Sequence, residues 1–190
     1  MARIEPLTPP YEPEVGEQLA RMMPSGVDPI GLFRTFARNM AMTTAMHGWG
    51  GYELGRTLSL SKRQREIVID RVTARCGCEY EWGVHVTFFA DAVGLSHEQV
   101  RSLTAGTPAD DCWDDPVERV LIEAVDSLHD TSDIDDDLYG RLRAVLSDAQ
   151  LLDLFMLTGW YHAISFCARA ARVDLEPGAP TFASFGRRGR

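Results

Sequence analysis

The chain has 190 residues, 45% of them hydrophobic and 25% charged, which suits one folded domain with a sizeable core. A net charge of −9 argues against nucleic acid as a partner, because phosphate contact needs clustered Lys and Arg. No run approaches the ~20 apolar residues of a membrane span, the opening MARIEPLTPP has no apolar signal segment, and four cysteines are too few for a disulfide scaffold; the expectation is a cytoplasmic protein with reduced thiols and no membrane contact.

Residues 1–12, with three prolines among the first ten, read as an extended arm. A short helix follows near Glu14 to Met23. Asp28-Pro29 has the form of a cap and first turn, and Leu32, Phe33, Phe36, Ala37 and Met40 continue it at helical spacing. The glycines of GWGG, Gly48 to Gly51, should break or loosen that helix. Ser61 to Gln64 is a Ser-x-x-Gln capping box, with Ile67, Val68, Ile69 and Val72 as the apolar side of its helix. Gly77 ends or bends it, and the next helix runs from about Cys78 to Val93, stopping at Gly94. Ser96 with Gln99 opens a short helix, and Asp115-Pro116 starts another to about His129. The acidic run Asp133 to Asp137 reads as a solvated helix start leading on to Leu146. Ser147 with Gln150 opens the last long helix, to about Val173. The β-branched residues sit inside helical periods, so residues 13–177 are expected to form a single all-α domain, a compact multi-helix bundle. Residues 178–190, with Arg187, Arg188 and Arg190, read as a flexible basic tail.

The chemistry concentrates in REIVIDRVTARCGCEYEWGVH, Arg65 to His85. On a helix at ~100° per residue, Cys78, Glu81, Trp82, His85 and Phe89 share one stripe. Spacings of three and four residues let thiol, carboxylate and imidazole meet. Glu66 would lie ~18 Å away along a straight helix, so it joins only if the chain turns near Gly77. That turn would place Cys78 at a helix N-terminus, where the dipole lowers a thiol pKa. The same residues also suit a structural interior: a buried cysteine, a structural Glu–His pair and an aromatic core stripe.

Glu66 stands twelve residues before Cys78, and His85 seven after it. This spacing resembles the alkylhydroperoxidase D-like, or carboxymuconolactone decarboxylase, family, and LFRTFARN, GLSHEQV and VDLEPG extend the likeness from about Asp28 through Pro177. The resemblance implies an alkylhydroperoxidase D-like helical bundle with Glu66 as proton-relay acid, Cys78 as one thiol and His85 as the site histidine. It implies no metal or other cofactor, and a homo-oligomer. The chain departs from the hydroperoxidase pattern at Glu81, which stands where the second cysteine of Cys-x-x-Cys would be. Cys76 lies two residues before Cys78, and the two point ~160° apart on a regular helix.

Three functions follow as alternatives. In a peroxidase, Cys78 would attack a hydroperoxide, become a sulfenic acid, and be restored by a thiol reductant. In a lyase, Glu66, Glu81 and His85 would move protons on a small organic acid or lactone. In a non-catalytic binder, Trp82, Phe88, Phe89 and Trp160 would hold an apolar or aromatic ligand, with His162 able to reach the same pocket. A metal held by Glu66, Glu81 and His85 is the weakest reading, since Glu-x-x-x-His differs from the Glu-x-x-His spacing of di-iron bundles. His47, His97 and His129 read as helix-end or surface residues.

Overall fold

A computed structural model describes residues 1–186, and among these there is no β-strand. The order is α1 (Pro13–Arg21), α2 (Gly31–Phe36), α3 (Met40–Glu53), α4 (Lys62–Arg75), α5 (Glu79–His85), α6 (His97–Ala105), α7 (Pro116–Thr131), α8 (Asp136–Arg143) and α9 (Asp148–Ala171). A π-helical turn, Val86–Ala90, and a 3-10 turn, Asp91–Val93, extend α5; a further 3-10 turn covers Phe182–Phe185. Ser61, Ser96 and Ser147 each cap a helix through the backbone N–H three residues on, while Gln64, Gln99 and Gln150 return the bond to the cap backbone.

Helix α4 is the axis of the molecule. Every residue from Arg65 to Ala74 is buried, and α5, α6, α7 and α9 all pack on it. A helix enclosed on all sides would ordinarily be apolar throughout. This one carries Arg65, Glu66, Asp70 and Arg71, and a buried charge needs a partner. Arg71 has several: Asp126 accepts from Nε and Nη2 at 2.7 and 2.6 Å, and the carbonyls of Leu103 and Gly106 accept from Nη1. Apolar residues divide into a main core that includes Ile69, Val72, Leu121, Leu154 and Leu157, and a smaller one around Ile67, Trp82, Leu103, Trp113 and Phe182.

The decisive local event is the end of α4. Gly77 adopts φ +66°, a left-handed conformation that glycine takes without steric cost. Cys78 N–H then donates to Thr73 C=O at 2.8 Å and Gly77 N–H to Ala74 C=O at 3.0 Å, the crossed pair of bonds that closes a helix C-terminus. The chain reverses, and α5 runs back along α4.

Three expectations change. GWGG does not break α3, which runs through it from Met40 to Glu53; each helical glycine costs only ~1 kcal/mol, and Gly50 lies close to Trp160 of α9. The helix expected from Asp28-Pro29 starts later, at Gly31, and breaks after Phe36, where Asn39 caps α3. The segment 178–186 is no loose tail: Phe182 is buried against Trp82, ring centroids 5.0 Å apart, and its N–H donates to Glu79 Oε1 at 2.6 Å. The remaining residues, 187–190 with their arginines, lie outside the described residues. Helix α9 is long and apolar enough to cross a membrane by length and composition, but half of its most apolar window is buried within the protein.

Candidate functional site

The reversal at Gly77 brings His85, at the end of α5, beside Glu66 on the second turn of α4. Glu66 is completely buried, and His85 is 3% exposed. Glu66 Oε2 lies 2.8 Å from His85 Nδ1, while its Oε1 accepts from Arg65 Nε at 2.7 Å. Arg65 is fixed in turn by Leu54 C=O at 3.0 Å and lies over the Phe89 ring, 5.4 Å from its centroid. The other imidazole nitrogen, Nε2, faces Tyr161 Oη at 3.0 Å and Glu81 Oε1 at 3.5 Å. Tyr161 also sets its ring edge-on to His85 at 5.1 Å. Glu81 Oε2 has no hydrogen-bond partner among the described residues.

Burial alone would push the His85 imidazole toward its neutral form. The carboxylates of Glu66 and Glu81 outweigh it and raise the pKa to about 10. At neutral pH the ring is therefore an imidazolium that can donate a proton from Nε2. Burial, reinforced by Glu81 and Glu66, holds the Tyr161 phenol well above its usual range. One turn along α4 from Glu66, Asp70 is also buried, with neither carboxyl oxygen hydrogen-bonded among the described residues. Burial first and Glu66 second raise its pKa well above the carboxylate range.

A cavity of about 410 Å3 opens on this cluster. Its wall is mainly apolar, from Leu32, Phe33, Phe36, Met46, Val84, Phe88, Phe89, Trp160 and Ile164. Glu81, His85 and Tyr161 supply the polar groups at its inner end, and Arg21 and His47 stand elsewhere on the wall. An apolar chamber with few convergent polar groups is the usual form of a small-molecule site.

The structure sorts the sequence candidates. Glu66, Glu81 and His85 come together, and Phe88, Phe89 and Trp160 line the cavity. Trp82, expected at the ligand, faces the other way: it is completely buried in the smaller core against Phe182 and Phe185. Glu81 and Trp82 are adjacent on α5, hence ~100° apart, and the stripe drawn through both straddles two faces. His162 does not reach the cavity either; its Nδ1 donates to Thr158 C=O at 2.8 Å and its Nε2 meets His129 at 2.9 Å. Cys78 caps α5 but does not line the cavity. It is completely buried, and burial pushes its thiol up to about 11, overriding the expected lowering by the helix dipole. All four cysteines are free; Cys112 lies beside Glu98 C=O, and Cys167 is exposed.

Sequence reading passed over Arg65, Asp70 and Tyr161. Tyr161 carried a signal. Leu154, Leu157, Tyr161, Ile164 and Ala168 follow one another at spacings of three and four, the core-facing stripe of α9. Trp160 and His162, on either side, must point elsewhere.

No family model and no curated protein sequence matches the chain. Solved structures do. An alkylhydroperoxidase AhpD core, an uncharacterised peroxidase-related protein from Ralstonia eutropha JMP134, superposes with a TM-score of 0.79 at 14% identity, covering 98% of this chain and 98% of that one. A peroxidase-related protein from Silicibacter sp. TM1040 gives 0.77 at 18% identity, over 94% of this chain and 96% of that one. The debrominase Bmp8 in its apo form gives 0.72 at 15% identity, over 92% of each. The fold is the all-α, alkylhydroperoxidase D-like fold.

Proposed function

We propose that this chain is an acid–base enzyme acting on a small, largely apolar organic acid or lactone in the cavity bounded by Phe88, Phe89 and Trp160. The observation that carries this reading is the buried Glu66–His85 pair, 2.8 Å apart, whose imidazole faces the cavity beside Glu81, one of whose oxygens has no hydrogen-bond partner among the described residues. His85, charged at neutral pH, donates a proton or stabilises negative charge developing on a substrate carbonyl oxygen. Glu81 accepts the proton removed from carbon or oxygen. Glu66 and Arg65 do not line the cavity; they orient the ring and hold its charge.

The same geometry argues against the thiol as nucleophile. Only a thiolate attacks a peroxide effectively, and Cys78 is sealed away from the cavity with its pKa raised to about 11. Glu81 stands where a resolving cysteine would be needed. Self-association also belongs to this proposal: Leu152, Met156 and Phe166 form an exposed apolar row on α9, a surface that suits a second copy.

The test is a panel of small lactones, keto acids and hydroperoxides, assayed by mass spectrometry in deuterated solvent, with dithiothreitol in parallel. Expected are deuterium incorporation or bond cleavage with an acid or lactone, abolished in Glu81→Gln and His85→Gln and kept in Cys78→Ser. Dithiothreitol-dependent loss of hydroperoxide that vanishes in Cys78→Ser would overturn the acid–base reading in favour of the peroxidase. Stoichiometric binding of a ligand that stays unchanged over hours would favour the non-catalytic binder.

A further inference from the structure

At the C-terminal end of α4, Cys76, His129 and His162 converge without any part in the site above. Cys76 is the C-terminal cap of α4, His129 lies in the last turn of α7, and His162 is in the middle of α9. The sulfur and one nitrogen from each imidazole lie within 4.8 Å of one another. We propose that Cys76, His129 and His162 form a binding site for a borderline-soft divalent cation of the zinc class, one that ties α4, α7 and α9 together.

The donor chemistry selects the cation. One thiolate and two imidazoles suit zinc, or cobalt in its place, and offer nothing to magnesium or calcium, which take oxygen ligands. The geometry is close to what such an ion requires. Zinc bonds of about 2.0–2.1 Å to nitrogen and about 2.3 Å to sulfur put tetrahedral N···N near ~3.3 Å and N···S near ~3.6 Å. Here His129 Nδ1 lies 2.9 Å from His162 Nε2 and 3.9 Å from Cys76 Sγ. The two rings must part by about 0.4 Å.

One of the imidazoles is already held by its other nitrogen. A metal-binding histidine almost always donates its other ring N–H to a carbonyl or carboxylate, which fixes the tautomer. His162 does this: its Nδ1–H donates to Thr158 C=O at 2.8 Å, which leaves the Nε2 lone pair directed at His129. That lone pair accepts the Nδ1–H of His129 in the metal-free state. Coordination shifts the His129 proton to its own Nε2, while the Cys76 thiol loses its proton to solvent and bonds the metal as thiolate. Arg169 Nη1 donates to Cys76 C=O at 2.6 Å, which holds the cap residue in place. Both imidazoles are half-buried and the thiol is buried, which leaves the solvent side for a fourth ligand, a water.

The experiment uses the full chain, stripped with a chelator and titrated with zinc by calorimetry and with cobalt by absorption. One ion per chain should bind at micromolar concentration or below, with thiolate-to-cobalt charge transfer and the strong visible bands of a tetrahedral site, and zinc should raise the melting temperature. Cys76→Ser and His162→Gln should each weaken binding about tenfold or more, and Cys76→Ser should abolish the charge-transfer band; Cys167→Ser should bind as the parent does. Helical circular dichroism checks folding, and if Cys76→Ser does not fold, His162→Gln decides. Binding that survives unchanged in His162→Gln, an octahedral cobalt spectrum, or no stoichiometric binding would each overturn the proposal.

Discussion

The start of α4 and the turn that follows its end carry different chemistry. Toward its start, Glu66 is buried with hydrogen-bonding groups on both oxygens, and the ring it holds opens on a cavity. Past its end, Cys76 and Cys78 are buried thiols, the latter raised to about 11, with no share in that cavity. The difference shows that residue type alone does not bring a side chain to a cavity; burial and the charge of the neighbours decide its surroundings. The fold is shared with peroxidase-related proteins, yet His85 lines the cavity and Cys78 does not.

The comparison breaks most visibly at Glu66. Replacing it with Gln leaves the His85 imidazolium and Arg65 without their common counter-charge, at a cost of about 3–5 kcal/mol and about 100-fold or more in turnover. Cys78→Ser should cost less stability and keep turnover. Urea unfolding of both variants measures the first contrast, and a Glu66→Gln protein as stable as the parent would remove the relay from the account.

The next effect is a pH dependence. The folded pKa of His85 is raised to about 10, against about 6.5 in an unfolded chain. Its stabilising contribution is full below about pH 6.5 and is lost as pH rises through about 10. The parent should therefore lose stability across that window more steeply than His85→Gln. Equal slopes in urea titrations at several pH values would mean that the ring is neutral in the fold.

A smaller effect tests the chain's final turn. A Cβ on Gly83 would stand 2.8 Å from Pro180 C=O, so Gly83→Ala should push the Phe182 segment off Trp82, for about 1–3 kcal/mol. Increased proteolysis near residue 180, with turnover kept, is the expected readout.

Much of this was legible in the sequence. Three Ser-x-x-Gln boxes marked helix starts, Gly77 marked the reversal, and the turn there was expected to bring Glu66 to His85, as it does. What could not be read depends on contacts between distant segments. The inward direction of Trp82 is settled by Phe182, a hundred residues away, and the diversion of His162 by His129. The elevation of the Cys78 thiol follows from burial by α9, which no local pattern near Cys78 reports. GWGG shows the reverse error, since local propensity argued for a break that packing against Trp160 overrides.

The smallest expected effect separates the two carboxyl groups of α4 themselves. Glu66 and Asp70 sit one turn apart and are equally buried, but Asp70 has no hydrogen-bonding partner among the described residues and its pKa lies well above the usual range. An acid whose folded pKa is raised above its unfolded value loses stabilising contribution as pH rises above about 4. Asp70→Asn removes that loss while keeping the shape, so it should gain on the order of 1 kcal/mol at neutral pH, the gain shrinking toward pH ~4. Turnover should stay near the parent's. A loss of stability at neutral pH would mean that Asp70 is charged and shares the imidazolium with Glu66, and the division of labour along α4 would have to be redrawn.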